Sequence, residues 1–214
     1  MTADLFGSDD VQPVCLAPGA MVLPRFALAE ASALLAAIDR IASRAPFRHM
    51  ETPGGFAMSA AMTNCGPLGW VSDRSGYRYQ PDDPLTGEPW PVLPSQWSEF
   101  AQRAAAQAGF SGFAADACLV NRYQPGARMS LHQDRNEQDC SQPIVSVSLG
   151  LTVTFQFGGL RRADTPEKVI LSHGDVVVWG GPSRLRYHGV LPLKPGYHPQ
   201  AGGCRYNLTF RRAG

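Results

Sequence analysis

The sequence carries almost no net charge and very little lysine. Its 19 basic and 18 acidic residues leave a formal charge of +1, so no overall field draws the chain to nucleic acid. Any contact with nucleic acid must therefore come from a local basic patch. Only Lys168 and Lys194 are lysines, and the other basic residues are arginines. Arginine suits bidentate recognition of carboxylates and phosphates, although the codon bias of a genome explains the same excess equally well.

Paired cysteines, a leader segment and long apolar runs are also missing. The five cysteines are odd in number and show no C-x-x-C spacing, which argues against a disulfide framework and against a zinc site. Residues 1–10 contain three aspartates and lack the pattern of a signal peptide. No apolar run is long enough to span a membrane. We therefore expect a cytoplasmic protein with reduced thiols that does not contact membranes. We also expect a monomer, because no apolar stripe is left over for a partner.

The chain length fits one domain with a sizeable core. An irregular arm is expected over residues 1–20. Apolar residues at helical spacing predict a helix over 28–42. A second helix is predicted over about 96–108, with Ser95 as its N-cap and Gly109 at its end. Between them, residues 46–94 are punctuated by glycine and proline and carry many aromatic residues, which favours short strands and loops over a packed core element.

After Gly112 the sequence consists of short β-like runs with turn residues between them. The predicted strands are 117–123, 144–149, 153–157, 168–171, 175–179 and 204–211. Strands of this length and spacing are typical of a β-sandwich or jelly roll. We therefore predict a mainly β fold with flanking helices, in which a jelly-roll core is covered from outside by the two helices. The single domain 1–214 would comprise the arm and first helix (about 1–45), the loop-rich segment (46–94), and the second helix with the core (95–214).

His132 and Asp134 are candidate metal ligands. Side chains at i and i+2 of an extended backbone point the same way, so an imidazole and a carboxylate face a common point. His188 is the best third ligand, and two histidines with one carboxylate are typical of non-haem Fe(II) oxygenases. An isolated H-x-D also fits an ordinary surface turn. The remaining histidines, His49, His173 and His198, have no carboxylate at i+2 and are interpreted as structural.

The run 205–211 alternates polar and apolar residues, which is typical of a half-buried strand. Its polar face holds Arg205 and Arg211, about 20 Å apart in an extended strand at about 3.3 Å per residue. We expect a bend or long side-chain reach to bring the two arginines together. A solvent-facing sheet surface would also show this pattern. Asn121 and Tyr123 share a face of another predicted strand, and such residues together with arginine can form a carboxylate socket.

Taken in order, these motifs resemble the AlkB family of 2-oxoglutarate dioxygenases. The resemblance covers nearly the whole chain. It is carried by Asn121-x-Tyr123, His132-x-Asp134, His188 and the run Arg205-Tyr206-Asn207-Leu208-Thr209-Phe210-Arg211, with further matches at 62–66, 69–70, 146–150, 155–159 and 173–181. The joint pattern is highly specific, although no single piece is.

The resemblance implies a fold, a set of cofactors and a reaction. The fold would be a double-stranded β-helix of the jelly-roll or cupin type, with residues 46–94 as a nucleotide-recognition lid. His132, Asp134 and His188 would bind Fe(II). Arg205 would pair with the distal carboxylate of 2-oxoglutarate, helped by Tyr123 and Asn207, with Asn121 and Arg211 nearer the metal. The reaction would use O2 to remove alkyl groups from bases such as 1-methyladenine and 3-methylcytosine, releasing succinate, CO2 and an aldehyde.

The resemblance also implies a nucleic-acid site, for single- or double-stranded DNA and also RNA. A target base must leave the stack to be modified, and Trp70 and His132 match the pair that would enclose it. Met62 and Tyr77 match pocket and lid positions. The positions that would touch the nucleic-acid backbone are Thr52, Tyr77, Arg128, Gln133, Arg135 and Arg162. The arginines would supply the local patch that the net charge lacks.

One position departs from the family pattern. Close bacterial relatives usually have aspartate where Asn136 stands. Aspartate accepts hydrogen bonds, whereas asparagine both donates and accepts. We therefore expect a weaker bias toward 1-methyladenine, relative to 3-methylcytosine, than the aspartate form shows.

Three other interpretations of the sequence remain open. The chain could be a 2-oxoglutarate dioxygenase that acts on a protein side chain or a lipid. It could be a nucleic-acid reader without turnover, although a pure binder needs no open metal positions. It could also be a zinc or manganese cupin enzyme, in which case the paired arginines would be unexplained.

Overall fold

The computed structural model describes residues 12–214. This part of the chain forms thirteen strands, two α-helices and one 3-10 turn. In chain order they are β1 (Val14–Ala17), β2 (Ala20–Leu23), α1 (Ala31–Arg44), β3 (Ala61–Cys65), β4 (Gly69–Asp73), β5 (Gly76–Gln80), α2 (Ser95–Gln107), β6 (Ala117–Tyr123), β7 (Met129–His132), β8 (Ile144–Gly150), β9 (Val153–Phe157), β10 (Glu167–Leu171), β11 (Val176–Trp179), the turn Gly181–Ser183, β12 (His188–Val190) and β13 (Arg205–Arg211).

The strands form two main antiparallel sheets and a small separate one. The seven-stranded sheet has the order β1-β2-β11-β8-β13-β6-β3, and the four-stranded sheet has the order β10-β9-β12-β7. Within the described part of the chain, strands β4 and β5 pair only with each other. Most neighbours in the two main sheets are far apart in sequence, as in a jelly roll, and the pairs β1–β2 and β9–β10 are the exceptions. The predicted jelly-roll class and the six predicted strands of the core are confirmed.

Strand β13 lies inside the seven-stranded sheet and pairs with β6 and β8 along its length. Its predicted alternation is confirmed, because its two faces contribute to different layers. Leu208 and Phe210 pack in the cluster that includes both helices, whereas Arg205, Asn207 and Arg211 line an internal cavity. The solvent-facing alternative is wrong, since all three of these polar side chains are buried.

The two helices cover the outer face of the seven-stranded sheet. Leu34 and Ile38 of α1 and Trp97 and Phe100 of α2 pack in one cluster with the central strands. This arrangement follows from the apolar stripe of each helix, which must be buried against another layer. Neither helix of the described region is long and apolar enough to cross a membrane.

The helix starts differ from the sequence predictions. Helix α1 begins at Ala31 because residues 24–30 form tight turns, in which Leu28 N–H donates to the Arg25 carbonyl. Ser95 is the first helical residue rather than the N-cap. The carbonyl of Pro94 accepts from the N–H groups of Trp97 and Ser98, at 2.9 and 3.1 Å, which makes Pro94 the cap.

The structure corrects two sequence expectations: an irregular arm over 1–20, and a segment 46–94 without a packed core element. In the predicted arm, Val14–Ala17 forms β1 at one edge of the large sheet; residues 1–11 lie outside the described residues. In the loop-rich segment, β3 is a packed core element, since all five of its residues are buried and it pairs with β6. Its pairing with a fully buried strand overrides the turn-rich composition around it.

The outer face of β13 gives a direct test of this packing. Leu208 has no exposed surface, so Leu208→Ala should lower the free energy of unfolding by about 2–5 kcal/mol through lost burial and a new cavity. Urea titration followed by circular dichroism measures the change. Leu85→Ala is the matched control, because that side chain is 59% exposed and its loss should cost less than about 0.5 kcal/mol. Equal effects for the two variants would contradict the assignment.

Candidate metal and co-substrate site

A single cavity of about 810 Å³ lies between the two main sheets and opens beneath β4 and β5. Its size is in the range of small-molecule sites. Every candidate site residue named from the sequence lines it: Thr52, Met62, Trp70, Tyr77, Asn121, Tyr123, Arg128, His132, Gln133, Asp134, Arg135, Asn136, Arg162, His188, Arg205, Asn207 and Arg211. The three histidines interpreted as structural do not line it.

The two histidines of the predicted triad meet because their strands are neighbours. His132 ends β7 and His188 begins β12, and the two residues are direct partners in the antiparallel register. Their ring centroids lie 4.4 Å apart. Asp134 follows two residues after His132, and its carboxylate lies 3.7 Å from His132 Nε2 and 3.6 Å from His188 Nε2. One ligand atom from each residue lies within 4.8 Å of the others, and no other such group of three occurs in the described residues.

Hydrogen bonds from the backbone fix which ring nitrogens face this point. His132 Nδ1 contacts the Ser130 carbonyl at 2.9 Å, and His188 Nδ1 contacts the Arg186 carbonyl at 3.0 Å. A carbonyl oxygen can only accept, so each Nδ1 must carry the proton. Each Nε2 is then left with a lone pair directed toward Asp134, as a metal ligand requires. Two imidazole nitrogens and one carboxylate oxygen therefore fit Fe(II) in the 2-His-1-carboxylate arrangement.

The charge states of these residues also suit a cation. Burial alone would raise the pKa of Asp134, but the charge of Arg211 holds it well below its usual value. Arg211 Nη2 donates to Asp134 Oδ2 at 2.7 Å. The pKa of His132 is lowered to about 4. Burial is the larger cause, and the nearby His188 ring is the second. At neutral pH the site thus presents an ionised carboxylate and a neutral His132 ring.

Arg205 lies at the other end of β13 and has unused donors. One Nη donates to Ser148 Oγ at 2.9 Å, and the guanidinium lies 5.0 Å from the centroid of the Tyr123 ring. Within the described region, its Nε and its other Nη have no hydrogen-bond partner although both are buried. A buried cation with free donors is costly unless an anion joins it. The distal carboxylate of 2-oxoglutarate fits this position.

The two arginines are not brought together by a bend, contrary to the sequence expectation. Strand β13 keeps one continuous register with β6 from Arg205 to Arg211, so the arginines serve opposite ends of the cavity. Their pKa shifts differ accordingly. Burial lowers the pKa of Arg205, whereas for Arg211 the effect of burial is outweighed by Asp134 and neighbouring groups, which raise the pKa. Arg211 pairs with Asp134, whereas Arg205 has no acidic partner among residues 12–214.

Polar side chains of the inner sheet face line the cavity between the two arginines. Asn207 Nδ2 donates to Ser146 Oγ at 2.8 Å and to the Val147 carbonyl at 2.9 Å, and its Oδ1 accepts from Thr209 at 3.0 Å. Asn121 Oδ1 is buried without a hydrogen-bond partner among the described residues. These groups form a polar wall along the path from Arg205 toward the metal ligands.

The aromatic wall of the cavity comes from the separate β4–β5 pair. Trp70 and Tyr77 stack with ring centroids 5.7 Å apart and an interplanar angle of 15°. Asn64 holds the Trp70 backbone, since its side chain accepts from Trp70 N–H at 3.0 Å and donates to the Trp70 carbonyl at 2.9 Å. Trp70 Nε1 donates to Asn136 Oδ1 at 3.2 Å. The aromatic pair is therefore fixed in position before any ligand binds.

The sequence interpretation missed a buried network next to the metal ligands. Glu137 accepts from Tyr79 at 2.7 Å and from Arg184 at 3.0 Å, and it lies 3.3 Å from Arg211 Nε. Burial raises the pKa of Tyr79 well above its usual value, which keeps its hydroxyl protonated as a donor. The network joins β5 to Arg211, the residue that holds Asp134. No local pattern marks Glu137, which stands in a polar loop and is recognisable only from its burial.

The comparisons with known proteins agree with this geometry. The model of the 2OG-Fe(II) oxygenase superfamily matches residues 19–211. The "Alpha-ketoglutarate-dependent dioxygenase AlkB" of Salmonella typhimurium is 58% identical over 210 residues, which cover 98% of this chain and 97% of that protein. The mouse "Nucleic acid dioxygenase ALKBH1" is 35% identical over 138 residues, which cover 64% of this chain and 34% of that protein.

A solved structure described as "The structure of OsALKBH1" superposes with a TM-score of 0.81 at 28% identity, covering 94% of this chain and all of that one. The His132–Asp134–His188 group indicates an Fe(II) oxygenase. The family match, the near full-length similarity and the fold indicate the same class of enzyme. The chain therefore belongs to the AlkB family within the 2OG-Fe(II) oxygenase superfamily, and it is an Fe(II)- and 2-oxoglutarate-dependent dioxygenase.

Proposed function

We propose that this dioxygenase repairs nucleic acids by oxidative removal of alkyl groups from ring nitrogens of bases such as 1-methyladenine and 3-methylcytosine. The observation that carries the proposal is the shared cavity, in which the candidate metal ligands, a stacked aromatic pair and exposed arginines all contribute to one lining. The names of the AlkB and ALKBH1 relatives, the latter a nucleic acid dioxygenase, support the same substrate class.

His132, Asp134 and His188 would hold Fe(II), and the carbonyl groups behind the two rings would keep each Nε2 available. When bound, Fe(II) with 2-oxoglutarate and O2 supplies the oxidation that yields succinate and CO2 and hydroxylates the alkyl carbon, which then leaves as an aldehyde. The role of this chain is to orient the reactants. Arg211 holds the Asp134 carboxylate in place and keeps it ionised.

Arg205 would bind the distal carboxylate of 2-oxoglutarate through its two unpartnered donors, because a guanidinium offers a bidentate fork. Tyr123 lies beside this guanidinium, and Asn207 lies on the same strand two residues closer to the metal. Asn121 and Arg211 would contact the end of the co-substrate that approaches the metal. The buried polar side chains between Arg205 and the metal site would limit the length of the dicarboxylic acid that the cavity accepts.

The alkylated base would enter beside Trp70 and lie against the His132 edge of the cavity. Tyr77 covers one side of the Trp70 ring and is itself 45% exposed, so it is placed to close over a bound nucleotide. Met62, which is fully buried, would form part of the pocket wall. Stacking on an aromatic ring is worth about 1–3 kcal/mol per base, which helps to offset the cost of extracting the base from the stack.

The cavity mouth would bind the nucleic-acid backbone. The guanidinium-bearing residues Arg128, Arg135 and Arg162 are exposed there, and Arg162 lies 6.0 Å from the Tyr187 ring centroid. Thr52 and Gln133 line the same opening and can hydrogen bond to phosphates. These arginines would form the local basic patch through which a chain of near-zero net charge binds nucleic acid.

Several finer points stay predictions. They are activity on RNA as well as DNA, the use of single or double strands, a monomeric state, a cytoplasmic location, and the division of the single domain into arm, lid over 46–94 and core. An oxygenase with a non-nucleic substrate is the main alternative, because the metal and co-substrate residues do not distinguish the two. The aromatic pair and the exposed arginines favour nucleic acid. A reader without turnover would leave the open metal positions unexplained.

The triad gives the first test of the proposal. Purified protein loaded with Fe(II) and 2-oxoglutarate should, on exposure to air, remove one CH2 from a single strand containing 3-methylcytosine and form succinate. His132→Ala should abolish both products, because a facial triad with one ligand missing holds the metal weakly. Mass spectrometry of the strand with succinate quantification measures the outcome. Succinate without demethylation in the unmodified protein would move the substrate elsewhere.

Arg205 gives a separate test of the co-substrate site. Arg205→Met removes the cation while keeping much of the side-chain volume, so the 2-oxoglutarate concentration for half-maximal rate should rise by about 100-fold, the order expected for a buried ion pair. Arg212→Met is the control, because that side chain is 46% exposed and pairs with Asp116 away from the cavity. Similar 2-oxoglutarate dependence in both variants would contradict the role of Arg205.

The mouth arginines predict a salt-dependent affinity. Binding of a methylated single strand, measured by fluorescence anisotropy without O2, should weaken as salt rises, because each neutralised phosphate releases counterions. Arg128→Ala and Arg162→Ala should each reduce the log–log slope by about 0.7. Arg40→Ala, on the exposed face of α1, should leave it unchanged. A slope near zero in the unmodified protein would favour the non-nucleic alternative.

A further inference from the structure

We propose that His173 is a positioning residue for the co-substrate site and that protonation of its ring weakens the binding of 2-oxoglutarate. The ring holds the end of β8 opposite Arg205 and does not itself line the cavity. The inference rests on the proposed function, because it requires that Arg205 binds the distal carboxylate of 2-oxoglutarate. It gives a role to a histidine that no step of the proposed reaction uses.

The ring of His173 replaces a backbone acceptor at the end of β8. Alternate N–H groups along an antiparallel strand point to the same edge. Ser148 N–H donates to the Asp175 carbonyl at 2.8 Å, and Gly150 N–H, two residues further on, donates to His173 Nδ1 at 2.9 Å. Gly150 is buried, and a buried N–H without a partner is costly. The imidazole therefore completes the hydrogen bonding of β8 where its pairing with β11 ends.

The end of β8 is the part of the sheet that lies beside Arg205. Gly150 is the register partner of Arg205, and Leu151 N–H donates to the Cys204 carbonyl at 3.1 Å. The two backbones are so close that a Cβ on Gly150 would lie 2.5 Å from the Cys204 carbonyl oxygen. A shift of Gly150 is therefore transmitted directly to the start of β13.

The segment that contains His173 also holds the serine that contacts Arg205. Ser148 Oγ accepts from Arg205 at 2.9 Å, and the Ser148 carbonyl accepts from Gly174 N–H at 2.8 Å. The side-chain partner of Arg205 and the residue opposite it in the register are thus bound to one short segment. A bidentate contact with a carboxylate depends on the position of the guanidinium, so this segment affects the affinity for 2-oxoglutarate.

A second histidine connects His173 to the turn that precedes β13. The rings of His173 and His198 lie with their centroids 4.2 Å apart and an interplanar angle of 34°. His198 N–H donates to the Gly202 carbonyl, and Gly202 N–H donates to the His198 carbonyl, both at 2.8 Å. The turn 198–202 leads within three residues into Arg205. His173 therefore supports Arg205 both through β8 and through the chain that enters β13.

The contact with Gly150 requires a neutral imidazole. A backbone N–H can only donate, so His173 Nδ1 must present its lone pair and the ring proton must be on Nε2. Protonation would place a second donor on Nδ1, directly opposite Gly150 N–H. It would also place a positive charge against the His198 ring. Both effects displace the protonated ring from the end of β8.

The surroundings of the ring set the pH range of this effect. Burial, followed by the adjacent His198 ring, lowers the pKa of His173, while Asp175 at the start of β11 acts in the opposite direction. The end of β8, residues 150–152, carries no titratable side chain. Because the folded protein resists protonation here, the contact is intact above the ordinary histidine pKa of about 6.5 and is lost as the pH falls below it. The affinity for 2-oxoglutarate should fall over the same range.

Two substitutions of His173 separate its hydrogen bond from its bulk. The measured quantity is the Kd of 2-oxoglutarate, obtained by isothermal titration calorimetry with Mn(II) in place of Fe(II), so that turnover does not enter. His173→Leu leaves Gly150 N–H without a partner and should raise the Kd at neutral pH by about tenfold. In His173→Asn the side-chain oxygen can accept from Gly150, so the Kd should stay within about twofold of that of the unmodified protein. A leucine variant that is less stable to urea but keeps the original Kd would overturn the inference.

The pH dependence provides a readout that a purely structural role would not change. Lowering the pH from about 7.5 to about 5 should raise the Kd of the unmodified protein about fivefold more than that of His173→Asn, whose side chain does not titrate. The candidate metal ligands are the same in both proteins, so their own titration cancels in this comparison. The same pH dependence in the two proteins would overturn the role of protonation.

Two further variants separate the inference from the proposed function. His49→Leu is the matched control, because that histidine is exposed, lies outside the cavity and contacts the Met58 carbonyl; it should leave the Kd and its pH dependence unchanged. If Arg205→Met leaves the Kd unchanged, the proposed co-substrate site is wrong and the inference fails with it. If Arg205→Met raises the Kd but His173→Leu does not, only the inference is contradicted.

Discussion

The ion pair between Arg211 and Asp134 is the interaction on which the site depends. It holds an ionised carboxylate next to the rings of His132 and His188, inside a jelly-roll core. Removing one partner of a buried pair leaves an uncompensated charge, which typically costs about 3–5 kcal/mol. The position of Arg211 is set in turn by the continuous pairing of β13 with β6 and β8. Strand β13 of the seven-stranded sheet thus positions the carboxylate of Asp134, which follows β7 of the four-stranded sheet.

The same arginine connects the candidate metal ligands to the β4–β5 pair. Arg211 lies against Glu137, which accepts from Tyr79 of β5 and from Arg184. Trp70 lies on β4, opposite Tyr79 in the antiparallel register. Its indole N–H donates to Asn136, which is the second contact between this pair of strands and the loop after β7. Two hydrogen bonds therefore tie the small β4–β5 sheet to the loop that follows His132. The aromatic wall and the candidate metal ligands are thus linked by hydrogen bonds, which suits a site that must present an alkyl carbon to a fixed oxidant.

Much of the fold and site could be predicted from the sequence, and the failures have physical causes. Strict alternation identified β13 and its two faces, and H-x-D spacing predicted two members of the candidate triad. The convergence of His188 on them depends on the pairing of β12 with β7, which spacing alone does not encode. The place of β3 in the packed core was missed, because pairing with a buried neighbour outweighs its turn-rich surroundings. Glu137 was missed because burial, rather than any local pattern, makes it important.

The central claim is that an alkylated base binds within reach of the metal site in this one cavity. The most direct test is a crystal structure of the protein with Fe(II), 2-oxoglutarate and a short single strand carrying one N-methylated base, grown without O2. The account predicts an extruded base beside Trp70, with its methyl group toward the metal held by His132, Asp134 and His188, and 2-oxoglutarate bound to Arg205. A strand bound outside the cavity with its methylated base still stacked would contradict it.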